Sequence, residues 1–100
     1  MVDIGVAAYV ITDLDVFDIE HYLAYQQAVK PLLAAVGARY LARGGEFRVY
    51  EGDYQPRRLV VLEFPSLEAV DEFYDSAGYQ AIEAQRKACS SARIIAVEGL

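Results

Sequence analysis

The chain holds one histidine, His21. Histidine titrates near neutrality, so the chemistry it offers is proton transfer. Asp18, three residues earlier, suits a helix N-cap. That places His21 in the first helical turn, near one end of whatever barrel the helix covers. A surface histidine beside Glu20 on an acidic helix start fits the same pattern. Glu63 is the penultimate residue of the run RLVVLEF and is expected to share a strand face with Leu59 and Val61. Arg39 and Arg43 on the preceding strand are expected on that face too, bordering a pocket with Glu63. An acid beside arginines orients a polar ligand, acts as a base if burial raises its pKa, or forms a structural ion pair. A bulge at Gly44 would reverse these orientations. Eight tyrosines are present. Tyr22, Tyr25, Tyr40 and Tyr79 suit a pocket lining with apolar bodies and polar tips, although Tyr22 and Tyr25 also fit a helical core stripe. Arg57 and Arg86 can grip a carboxylate or pair on the surface with Asp53 and Glu83.

Other chemistries lack support. Gly44-Gly45 has neither the strand–glycine–helix context nor the following lysine of a phosphate loop. Ser90-Ser91 has no base partner in sequence. Cys89 ends a helical piece, where nothing lowers a thiol pKa. One Cys and one His cannot build the usual zinc site or an internal disulfide, and nothing around His21 supports haem. The expectation is no metal and no organic cofactor.

Composition narrows the partners. Nine basic and fifteen acidic residues give a net charge of -6. Nucleic acid and anionic membranes need a basic footprint, so neither is an expected partner. With 55% hydrophobic and 24% charged residues, the chain reads as one globular domain over residues 1–100. Met1-Val2-Asp3-Ile4 has an acid where a signal peptide carries positive charge. No apolar run reaches membrane-spanning length, and a cytoplasmic protein is expected.

The elements that must position these residues follow from periodicity. Gly5 to Thr12 reads as a buried strand, with acids after it. Asp18 opens a helix that ends before Gly37, and Pro31 inside it predicts a kink. Ala38 to Arg43 and Phe47 to Glu51 read as one strand bent at Gly44-Gly45. Gly52 to Pro56 is a turn. Arg58 to Phe64 is a strand, and Ser66 caps a helix that Gly78 breaks. A second helical piece and a strand from Ala92 to Glu98 complete the order β-α-β-β-α-β. This matches the ferredoxin-like α+β motif, four antiparallel strands with helices on one face.

Those strands are apolar on both faces, unlike a sheet with one face in water. Leaving Ala7, Tyr9, Ile11, Leu59, Val61, Ile95 and Val97 wet forgoes roughly 10–15 kcal/mol. That is an upper figure, because unfolded chains are partly compact. It still rivals the ~5–15 kcal/mol stability of a whole domain. A second copy is the simplest cover, so a homodimer is expected.

Several stretches carry a resemblance. They are Arg39 to Gly45 (RYLARGG), Glu51-Gly52-Asp53, Pro56 to Ser66 (PRRLVVLEFPS), Phe73 to Ser76 with Tyr79, then Arg86 and Val97-Glu98-Gly99. Together the chain resembles small uncharacterised bacterial proteins, the domain of unknown function 1330 family of the dimeric α/β-barrel superfamily. The resemblance implies a homodimer with two facing sheets. It carries no established reaction; other branches include cofactor-free monooxygenases, isomerases and haem-degrading enzymes. The functional expectation is a homodimeric small-molecule-binding protein or cofactor-independent enzyme, with its pocket at the sheet interior. The ligand-binding candidates are Arg39, Arg43, Glu63, Tyr40 and Tyr79; the catalytic candidates are His21 and Glu63. The alternative is a non-catalytic dimeric module with a packed interior.

Overall fold

A computed structural model describes residues 5–100. The sequence reading of Met1–Ile4 lies outside the described residues. The element order is β1 (Ala8–Val16), α1 (Ile19–Ala35), β2 (Arg39–Arg43), β3 (Arg58–Phe64), α2 (Leu67–Asp75), α3 (Ala77–Cys89) and β4 (Ser90–Glu98). The strands form one antiparallel sheet in the order β2-β3-β1-β4. This is the expected ferredoxin-like α+β fold.

Local chemistry sets the helix ends. Asp18 caps α1, its carboxylate accepting from the His21 amide. Gly37 follows with φ 76°, the left-handed conformation that glycine adopts without a Cβ penalty. Ser66 caps α2. The break before α3 falls at Ser76, whose hydroxyl accepts from the Tyr79 amide, rather than at Gly78. Gly78 is helical and lets α3 approach α1: a Cβ there would meet Leu32 at 3.1 Å. Helix α1 runs through Pro31 from Ile19 to Ala35 without interruption.

The helix-facing side of the sheet is the core. Ala8, Val10, Leu14, Val60, Leu62 and Phe64 are buried there against Tyr25, Val29, Leu33, Val70, Phe73 and Tyr79. Phe73 is the hub of an aromatic group, with ring centroids 5.6 Å from Phe64, 5.0 Å from Tyr74 and 4.9 Å from Tyr79. These are tilted and edge-on contacts of the kind aromatic quadrupoles favour.

The other face is uncovered. Ile95 and Val97 are 64% and 50% exposed, and Ile11 lies beside them. The molecule measures 47 × 36 × 17 Å, the thickness of one sheet carrying one layer of helices. The expectation that both faces are buried is therefore not met within a single chain.

Three sequence expectations change. Strand β1 begins at Ala8 and runs to Val16, because Asp13 to Val16 pair with Arg93 to Ser90 of an equally extended β4. Phe47–Glu51 is not a strand: residues 44–57 connect β2 to β3 with no ladder partner in this chain. Finally, the bulge lies at Leu41, ahead of the glycines. Tyr40 pairs with Leu62 and Ala42 with Val61, which leaves Leu41 as the extra residue. One extra residue turns everything after it to the opposite face.

Candidate functional site

At one end of the uncovered sheet face is a cavity of about 700 Å³, lined by Asp13, Asp15, Asp53, Tyr54, Gln55, Arg57, Ser91, Ala92 and Arg93. Strand alternation builds its floor. Asp13 and Asp15 follow Tyr9 and Ile11 at period two, and Asp13 lies opposite Arg93 on β4. The 44–57 connection supplies the wall, tied down by hydrogen bonds to one carboxylate. Tyr54 donates its hydroxyl to Asp13 Oδ2 at 2.5 Å, and the Arg57 amide donates to Asp13 Oδ1 at 2.9 Å. The Arg93 guanidinium lies 5.8 Å from the Tyr54 ring centroid, within cation–π range.

The Tyr54 hydrogen bond is the main reason the Asp13 pKa lies below its ordinary 3.8; the Arg57 and Arg58 amides and the Arg93 charge add to it, against a weaker effect of burial. The same bond raises the Tyr54 pKa. At neutral pH the pair is thus a carboxylate and a protonated phenol, each satisfying the other. Such a carboxylate is a poor base. The carboxylates of Asp15 and Asp53, the guanidinium groups of Arg57 and Arg93, the Gln55 amide and the Ser91 hydroxyl remain as polar groups at the rim. Among the described residues no group of His, Cys, Asp and Glu side chains is arranged to hold a metal ion.

Tyr54→Phe tests this reading. A depressed carboxylate pKa contributes stability that is present above the unfolded value and lost as pH falls through the folded one. Removing the phenol is expected to move the Asp13 midpoint up towards 3.8. Acid unfolding then begins at higher pH. Carboxyl-carbon NMR titration of Asp13 reads the shift directly; an unchanged midpoint would show that the phenol is not its cause.

Arg39 and Glu63 do meet on the uncovered face, with Arg39 Nε donating to Glu63 Oε1 at 2.8 Å. Both lie in solvent reach, where an ion pair contributes ~0–1 kcal/mol. Arg43 is not with them. The Leu41 bulge places it opposite Val60, on the helix side. There its guanidinium stacks 4.6 Å from the ring centroid of Tyr40, which that bulge leaves on the same side. Tyr79 is 1% exposed. Its hydroxyl accepts from Tyr25 at 3.3 Å and from Arg86 Nε at 3.4 Å, so it belongs to the buried core beneath the helices. Arg86 is 7% exposed and makes no surface pair; Lys87 takes Glu83 instead. His21 is exposed and bound to Asp18, Nδ1 to Oδ2 at 2.6 Å. It lines neither this cavity nor a second one, of about 310 Å³, beside α1.

The sequence reading missed Asp13, Asp15, Tyr54 and Arg93. The available signal was parity, because Tyr9, Ile11, Asp13 and Asp15 continue one alternation through residues read as the strand's end.

Residues 7–100 match the family described as Domain of unknown function (DUF1330). The chain belongs to this family. The DUF1330 chain is similar to the crystal structure of RPA0582, a protein of unknown function from Rhodopseudomonas palustris, at TM-score 0.77 and 17% identity, covering 96% of this chain and 84% of that one. It is also similar to SnoaB, a cofactor-independent oxygenase from Streptomyces nogalater, at TM-score 0.64 and 9% identity over 93% and 92% of the two chains. A third neighbour is a dimeric protein of unknown function and ferredoxin-like fold from Bacteroides fragilis, at TM-score 0.52 and 14% identity over 92% and 95%. At these identities the shared property is the fold. A comparison of the DUF1330 chain with curated proteins found no match. No helix among the described residues is long and apolar enough to cross a membrane.

Proposed function

We propose that this chain is the single-domain subunit of a homodimer that binds a small polar molecule where the rim cavity meets the facing subunit. The observation that carries the reading is the uncovered apolar sheet face, on which Ile11, Ile95 and Val97 lie side by side across β1 and β4. A second copy with the same face removes that surface from water on both sides, the self-complementary arrangement of a two-fold interface. The Bacteroides fragilis neighbour, of the same fold, is dimeric. The extended 44–57 connection, with Tyr50 91% exposed, offers backbone groups for pairing with another chain.

Closing the face turns an open cavity into a lined one, with Arg57, Arg93 and Gln55 available to orient polar groups of a ligand. Arg39 and Glu63 contribute a further polar pair to the interior. Binding is favoured over acid–base catalysis because Asp13 and Tyr54 satisfy each other and His21 lies at neither cavity. A fifteen-to-nine excess of acidic residues over basic ones argues against nucleic acid as the ligand.

Light scattering of the purified chain tests the dimer, and native mass spectrometry of the same sample tests the ligand. The expected mass is twice 11.1 kDa, with a small molecule retained that Arg93→Ala releases. A folded monomer at micromolar concentration overturns the assembly. Equal retention of the molecule by Arg93→Ala overturns the site.

A further inference from the structure

The bulge at Leu41 has assembled a second site, made wholly from one chain. It turns Arg43 to the helix side of the edge strand, where Tyr40, paired with Leu62 ahead of the bulge, already lies. Arg58 lies on that side too, sharing strand parity with Val60, the partner of Arg43. Gln26 and Lys30, one turn apart on α1, face them with Gln27. The result is a cavity of about 310 Å³ whose charged lining residues are Lys30, Arg43 and Arg58, without a carboxylate. None of these cations takes part in an ion pair among the described residues.

Such convergence is not what an acidic chain produces by default. With fifteen acidic residues available, three adjacent cations would ordinarily be neutralised, because like charges at close range repel. Two features hold them in place. The Tyr40 ring supports the Arg43 guanidinium. Gly44, at φ 69°, leaves the space that Arg58 fills: a Cβ there would lie 2.5 Å from the Arg58 guanidinium. Arg58 Nε is moreover buried without a hydrogen-bond partner, the one such side-chain atom among the described residues. Buried donors are nearly always satisfied, and an exception points to an acceptor that the chain itself does not supply.

We infer that this cavity binds the oxyanion group of a small molecule, a carboxylate or phosphate held by the Arg43 and Arg58 guanidiniums and Lys30. Guanidinium forks match the paired oxygens of either group, and the amides of Gln26 and Gln27 can donate to further oxygens. The volume is at the lower end for ligand pockets, which fits a compact anion. Every lining residue comes from one chain, so the site stands whether or not the chain dimerises.

The test is calorimetric and NMR titration at low ionic strength with two probes, inorganic phosphate and malonate. Saturable binding of either is expected, with shifts at the amides of residues 26–30, 40–44 and 58. Phosphate alone indicates a phosphate-bearing ligand and malonate alone a carboxylate. Lys30 and Arg43 are both exposed, so Lys30→Gln and Arg43→Gln are expected to keep the melting temperature. Each should weaken binding by about tenfold or more, as loss of a charge-assisted contact does. Arg48→Gln removes one positive charge outside the cavity, where Arg48 pairs with Glu46, and is expected to bind as the unsubstituted chain does. Absence of saturable binding by both probes overturns the inference. So does equal weakening in Arg48→Gln, which would reduce the effect to net charge.

Discussion

Ile95→Lys is expected to give a folded monomer. Ile95 is 64% exposed in the single chain, so a lysine there costs the lone subunit almost nothing and its fold survives. In the proposed dimer the same position faces a second copy. Two ammonium groups would then be removed from water in an apolar interface, related by symmetry and unpaired, at a cost of several kcal/mol each after relaxation. That exceeds what a subunit interface of ordinary affinity can absorb: a loss of about 4 kcal/mol weakens association roughly a thousandfold. Light scattering should report the mass of one chain while far-ultraviolet circular dichroism keeps its helical signal. Val61→Asp, in the same row between Ile11 and Ala42, is more severe because Val61 is already half-buried, and loss of fold is expected with loss of dimer. A dimer retained by Ile95→Lys would mean that this face is not the interface.

Phe73→Ala is expected to have the largest effect on stability. Phe73 is 3% exposed and touches Phe64 from the sheet, Tyr74 on its own helix and Tyr79 on α3. Its ring fills the junction where sheet, α2 and α3 meet. Truncation removes the transfer free energy and leaves a cavity that three rigid rings cannot close, typically about 3–5 kcal/mol. For a chain of this size that lowers the melting temperature by roughly 12 °C or more. Phe73→Leu keeps part of the volume and should fall between. A drop no larger than that of an exposed-site alanine would show that the ring is not a hub of the core.

The helix caps were legible because a cap is a local event. Asp18 and Ser66 announce themselves by residue type and by the apolar stripe that follows, and no distant contact is needed. Arg58–Phe64 was legible because β-branched density and a flanking proline agree. Arg43 was not, and the reason is specific. Its orientation depends on an insertion at Leu41, which nothing in RYLAR marks, since an alanine or leucine at a bulge looks like either residue in a regular strand. Phe47–Glu51 has strand composition but no partner in its own chain, and composition does not reveal whether a partner exists. The Asp13–Tyr54 contact joins residues far apart in sequence, and only the closed sheet brings them together. Tyr79 shows the reverse error: its polar tip suggested a ligand, yet Tyr25 and Arg86 already satisfy it.

The pairing of the first described strand with the last has a bearing on how the protein is made. Strand β1 is central, with β3 on one side and β4 on the other, and Ala8 pairs with Glu98. Translation delivers β1 first and β4 last. Until β4 is available, β1 can pair only with β3 and keeps one bare edge, rich in Val, Ile and Tyr. Pairings of such long sequence separation form slowly, and unpaired edges of this kind are where nascent chains stick to one another. The sheet's interior strand in the finished molecule is thus an edge strand until residues 90–98 dock, and that docking is the event that ends the exposure.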